Sequence, residues 1–110
     1  MMSHEQIQQC MDSCLQCMVA CSICYDACLK ENDIGMMRDC IRLDRECADV
    51  CELAAKSISQ GSPFVREICA LCANVCEACG KECGKHMHEH CKRCAEACFA
   101  CAKACRNMAA

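Results

Sequence analysis

Thiolates bind soft metal ions, and this 110-residue chain carries 19 cysteines in a spacing that an ordinary protein core does not need. Cys10, Cys14, Cys17, Cys21, Cys24 and Cys28 advance by alternating steps of four and three residues. Cys69, Cys72, Cys76, Cys79 and Cys83 do the same, and so do Cys91, Cys94, Cys98, Cys101 and Cys105. That alternation is the period of one face of an α-helix. Cys40, Cys47 and Cys51 share a face of a further segment at steps of seven and four. Stripes on separate helices meet only around a common interior. The chain therefore reads as a tube lined with sulfur, and every cysteine is a candidate metal ligand.

The spacing selects among metals. Residues at i and i+4 on a helix have Cβ atoms roughly 5–6 Å apart. A metal–thiolate bond of about 2.3 Å makes a linear S–M–S unit of ~4.5 Å, which one such pair spans. Cu(I) accepts two or three soft thiolates, whereas zinc wants a tetrahedron that one helix face cannot supply. A continuous stripe is not expected to encode discrete groups of four. Charge points the same way. Nineteen buried thiolates need neutralising, and a monovalent ion does so near one per cysteine. The capacity expected is on the order of ten to twenty Cu(I) per chain, which is storage rather than catalysis.

Four helices must carry these stripes. Ser3 with Gln6 forms a capping box, so a first helix is expected to run to about Lys30. Asn32-Asp33-Ile34-Gly35 is a turn, and a second helix spans about Met36 to Ser59, stopping at Gly61. Ser62-Pro63 reads as an N-cap with proline at the first helical position, opening a third helix that ends near Gly84. A short connection at Lys85 and His86 leads to a fourth helix ending near Asn107. Short connections predict an all-α, antiparallel up-down-up-down four-helix bundle with a cysteine-lined core, as one domain over residues 1–110.

This topology gives the tube two unlike ends. Ile7, Ile58, Phe64, Val65 and Ile68 gather at one as an apolar plug. Met36, Met37, His86, Met87, His88 and His90 gather at the other, beside Cys28, Cys40, Cys83 and Cys91. Imidazole and thioether hold Cu(I) more weakly than thiolate, which suits an entry, and His90 next to Cys91 is the leading candidate there. The first helix carries a second apolar row, Met11, Leu15, Met18, Tyr25 and Leu29, which either packs against a neighbouring helix or, as its breadth favours, forms an oligomer interface.

Composition closes off other classes. The net charge is −3 with both signs interspersed, so no basic patch suits nucleic acid. No apolar run is long enough for a membrane span, and the first residues lack the pattern of a secretory signal. A reducing cytoplasm is therefore expected, where disulfides rarely persist. Neighbouring cysteines on one helix face are also poorly placed for bridging. No strand pattern supports a thioredoxin-like site, and the ferredoxin cysteine run is absent. Neither a Ser-His-Asp set nor a phosphate loop is present, so an enzyme is not expected. A zinc or general soft-metal buffer, metallothionein-like in role, is the alternative.

The repeated C-x-x-x-C units Cys10–Cys14, Cys17–Cys21, Cys24–Cys28, Cys47–Cys51, Cys72–Cys76, Cys79–Cys83, Cys94–Cys98 and Cys101–Cys105 resemble those of the bacterial cytosolic copper storage proteins. The likeness covers the whole chain. It implies inward-pointing cysteines that bind many Cu(I) ions, a Met- or His-lined entry and homo-oligomers, dimer or tetramer. No segment specifies a copper donor or acceptor protein.

Overall fold

Each thiol stripe becomes the inner face of one helix. The computed structural model describes residues 2–110. Among these, the helices are α1 (His4–Leu29), α2 (Arg38–Gln60), α3 (Val65–Cys83) and α4 (Glu89–Ala109), with a 3-10 turn at Ile34–Met37.

The helix ends follow local chemistry, with three departures from expectation. The capping box on α1 forms: Gln6 N–H donates to Ser3 Oγ at 3.1 Å, and Ser3 N–H to Gln6 Oε1 at 2.8 Å. At the end of α2, Gly61 takes φ 65° and the Ser62 N–H donates to the Ser57 carbonyl at 3.0 Å, satisfying a last-turn acceptor. The first departure is the start of α2, at Arg38 rather than Met36. Residues 34–37 wind more tightly, with Met36 N–H donating to the Asp33 carbonyl at 2.9 Å, and this turn buries Met37 completely.

The second departure is α3, which begins at Val65 with Phe64 as its N-cap residue. Ser62 Oγ accepts from the Phe64 N–H at 3.1 Å, so Ser62 and Pro63 belong to a turn before the helix. The third is α4, which starts at Glu89 because tight turns continue past α3. Lys85 and His86 donate N–H bonds of 3.2 and 3.1 Å to the carbonyls of Glu82 and Cys83.

Sulfur contacts give the topology. Cys14 meets Cys105, Cys21 meets Cys94 and Cys24 meets Cys91, so α1 and α4 run in opposite directions. Cys40–Cys83, Cys47–Cys76 and Cys51–Cys72 set α2 against α3 in the same sense, and Cys28–Cys40 with Cys17–Cys47 does so for α1 and α2. Each helix backbone packs on its two neighbours around a square, and only side chains such as Cys47 and Cys98, or Cys51 and Cys101, meet across the diagonal. The rod measures 47 × 17 × 17 Å. All 19 cysteines are buried, none more than 1% exposed. Ala48, Ala54, Ala73, Ala95 and Ala102 are buried beside them and let the backbones approach. Neutral thiols act as small hydrophobes, so the lining is itself the core.

Two apolar groupings differ from expectation. Ile58 is buried at the plugged end, with Ile7, Val65, Ile68 and Met108 packed on the core, but Phe64 is 61% exposed and outside the plug. As the N-cap residue it precedes the helical face that turns inward. On α1, Met11 and Met18 pack against the core, and Tyr25 lies 6.0 Å under the Arg45 guanidinium of α2. Leu15 and Leu29 of the expected row are exposed, and Leu15 continues at steps of four into the exposed Val19 and Ile23.

Candidate metal centre

Sulfurs on one helix and across helices sit at similar separations. The i, i+4 pairs Cys17–Cys21, Cys24–Cys28, Cys47–Cys51, Cys72–Cys76, Cys94–Cys98 and Cys101–Cys105 lie at 3.9, 3.7, 3.9, 3.8, 3.9 and 3.9 Å. Across helices, Cys17–Cys47 is 3.9 Å, Cys51–Cys76 is 3.6 Å and Cys40–Cys83 is 3.0 Å. A linear S–M–S unit of ~4.5 Å would push a pair apart by roughly half an ångström. Three sulfurs around one ion at ~2.3 Å stand ~4.0 Å apart, which every quoted spacing but Cys40–Cys83 meets nearly as it is.

The structure also corrects the expectation that a stripe encodes no groups of four. Cys14, Cys72, Cys101 and Cys105 gather with their sulfurs within 4.8 Å of one another, as do Cys17, Cys51, Cys76 and Cys101. So do Cys17, Cys21, Cys47 and Cys98; Cys21, Cys79, Cys94 and Cys98; and Cys24, Cys28, Cys40 and Cys91. Facing helices at one level assemble what a single face lacks. These five sets share members: Cys17, Cys21, Cys98 and Cys101 each stand in two of them. Tetrahedral ions that share no thiolate could fill only the sets that do not overlap. Ions bridged by shared thiolates could fill the ladder throughout. All cysteines are free thiols, as the helical spacing predicts. Cys69 lies at the plugged end, where its interaction with Cys10 pushes it up to about 12.

One functional candidate was hidden in the sequence. Asp44 on α2 is fully buried. Its Oδ1 accepts from Cys94, Cys79 and Cys83 at 3.2, 3.3 and 3.4 Å, and its Oδ2 from Cys40 at 3.7 Å. Burial first, then repulsion from Cys94, pushes its carboxyl up to about 10. It is the missing tooth of the α2 stripe: Cys40, Asp44, Cys47 and Cys51 step by four, three and four. The seven-residue gap between cysteines was the available signal.

The polar end sorts its candidates sharply. His90 Nδ1 lies 3.4 Å from Cys24, 3.6 Å from Cys91 and 3.9 Å from Cys28, so this ring caps the ladder. Burial pushes the Cys28 and Cys91 thiols up, Cys91 to about 12, which keeps them neutral beside it. His86 turns away, its Nε2 2.9 Å from Glu82 one turn back on α3. His88 stacks on His90 with centroids 5.2 Å apart and points its nitrogens at Glu31 and Asp33. Met37 is buried, whereas Met36 and Met87 are 74% and 81% exposed. The structure thus brings His90 to the thiols, and not His86, His88, Met36 or Met87.

A family model described as Csp, copper storage protein, matches residues 3–110. The Cu(I)-bound copper storage protein BsCsp3 superposes with a TM-score of 0.92 at 56% identity, covering 96% of this chain and 99% of that one. Apo Csp3 of Bacillus subtilis gives 0.88 at 56% identity over 94% and 98%. A cytosolic copper storage protein of Streptomyces lividans, in a copper-loading structure with five coppers, gives 0.92 at 43% identity over 96% and 92%. The cysteine-rich protein YhjQ of Bacillus subtilis is 57% identical over 63 residues, a match spanning 57% of this chain and 58% of that protein.

Proposed function

The chain belongs to the copper storage protein family, and from that premise we propose that it stores many Cu(I) ions on the thiolates of its core. The overlapping four-sulfur sets carry this reading. Shared thiolates suit a monovalent, low-coordinate ion, and each such ion offsets one buried negative charge. On the order of ten to twenty ions per chain follows from that balance. All 19 cysteines act as ligands, and residues 1–110 act as one storage unit. The setting is the cytoplasm, as for the Streptomyces relative described as cytosolic. Among the described residues no helix is long and apolar enough to cross a membrane. The role is storage and not catalysis.

Copper enters and leaves at the His90 end, where an imidazole nitrogen meets three thiols. The chain forms a homo-oligomer through Leu15, Val19 and Ile23 of α1, 44%, 50% and 59% exposed. An i, i+4 ridge interdigitates with its copy on a second chain. V19E/I23E should lower the sedimenting mass to that of one chain.

Zinc is the competing occupant, because sulfurs about 3.8 Å apart also edge a ZnS4 tetrahedron. Four unshared thiolates per ion would limit zinc without bridging to about four ions on 19 cysteines. Anaerobic titration of the reduced protein with Cu(I) against a competing chelator, with Zn(II) in parallel, separates them. Ten or more Cu(I) per chain are expected. Saturation at four or fewer would overturn storage.

A further inference from the structure

Glu31 stands outside every cysteine stripe, in the connection after α1. Its N–H donates to the Cys28 carbonyl at 3.2 Å, which ties it to a stripe residue at the polar end. Its Oε2 accepts from His90 Nε2 at 2.7 Å and lies 3.2 Å from His88 Nδ1. His88 Nε2 is 3.2 Å from Asp33, and the two imidazole rings stack with an interplanar angle of 7°. One carboxylate oxygen thus serves two rings of the α4 entry from the far side of the mouth.

We propose that Glu31 is the positioning residue of this mouth, holding His90 in the tautomer that presents a bare Nδ1 to incoming Cu(I). The inference rests on the reading of the His90 end as the entry. A neutral imidazole has one N–H and one lone pair, and a carboxylate only accepts. The bond to Glu31 therefore keeps the proton on Nε2 and leaves the lone pair on Nδ1. That lone pair faces Cys24, Cys91 and Cys28. In the other tautomer an N–H would point at the thiols, and the ring could not take a metal from that side. The stacked His88 restrains ring rotation, and the side chains of His90 and Glu31 are only 17% and 28% exposed, so water competes weakly for their bond. Glu31 itself touches no thiol among its contacts in the structure; it acts through His90.

The test uses reduced, metal-free protein labelled with 15N histidine. Long-range proton–nitrogen correlation reads the His90 tautomer directly. Wild type is expected as Nε2–H, E31A as a mixture, and E31Q as Nε2–H retained through its amide oxygen. Stopped-flow transfer from a Cu(I)–chelator complex should slow about tenfold in E31A, less in E31Q, with final capacity unchanged. Adding E31A to H90A should slow transfer no further, since both act through one ring. An Nδ1–H wild type would overturn the proposal, as would an E31A protein that keeps both the tautomer and the rate. A loss that persists in full on the H90A background would make Glu31 a structural clamp instead. Should H90A load at the wild-type rate, the entry reading falls, while the tautomer spectrum still decides what Glu31 does.

Discussion

Where α1 and α3 begin, Ile7, Ile58, Val65, Ile68 and Met108 close the tube beyond Cys10, Cys69 and Cys105. Where α4 begins, the closure is His90, held by Glu31 and stacked on His88, with Asp44 one level deeper among four thiols. Aliphatic side chains seal by packing alone and offer a soft ion nothing to bind. An imidazole seals as well, yet it can exchange a proton-bearing neighbour for a metal. A tube lined by strong ligands needs one such end, or its cargo could neither arrive nor leave.

Variants at each end can break that contrast. The largest effect is expected from I58A, which should lower the stability of the metal-free protein by about 2–3 kcal/mol in urea unfolding, because it empties packed volume. It should leave chelator-driven copper removal at its wild-type rate. Faster removal from I58A would mean that copper leaks through the apolar end, and the two ends would no longer differ in kind. H90A should do the converse. Loading and removal slow on the order of tenfold, capacity holds, and stability changes little. A proportionate fall in capacity would make His90 a storage ligand rather than a gate.

Asp44 sharpens the comparison through pH. Its carboxyl is raised from 3.8 to about 10, so the folded chain keeps a proton that the unfolded chain releases above about pH 4. Native protein binds more protons across that window, and this contribution to stability declines as pH rises. Metal-free wild type should therefore melt higher at pH 5 than at pH 8, by at least ~4 °C, the shift that about 1 kcal/mol gives near this size. D44N should flatten the difference. A gap that persists in D44N would assign the pH response to the thiols. The smallest effect is expected from M36A and M87A, whose side chains lie in solvent. Wild-type transfer rates in both would agree with a mouth made by His90 alone, and slowed transfer would widen it to the loops.

Much of this was legible from one strand of text because helical periodicity is local. A residue three or four places away shares a face wherever the helix goes, so the stripes and the bundle follow from spacing. The Ser3–Gln6 box and Gly61 stop are local too, and both form as read. Asp44 was harder. Its position on the stripe is local, but its meaning depends on Cys79, Cys83 and Cys94 from two other helices. Phe64 departs from its expected place because α3 starts two residues later, which takes it off the inner face.

The amino-acid order by itself determined which face of each helix carries sulfur, how many thiols there are and that soft-metal chemistry is available, since all three depend on neighbours within one turn. Only tertiary structure decided which thiols share an ion-sized space, because that depends on the register of one helix against another. It likewise chose His90 over His86 and His88, and enlisted Glu31 and Asp44. Those assignments require groups 35 to 66 residues apart to meet within a few ångströms, and no local period encodes such a meeting.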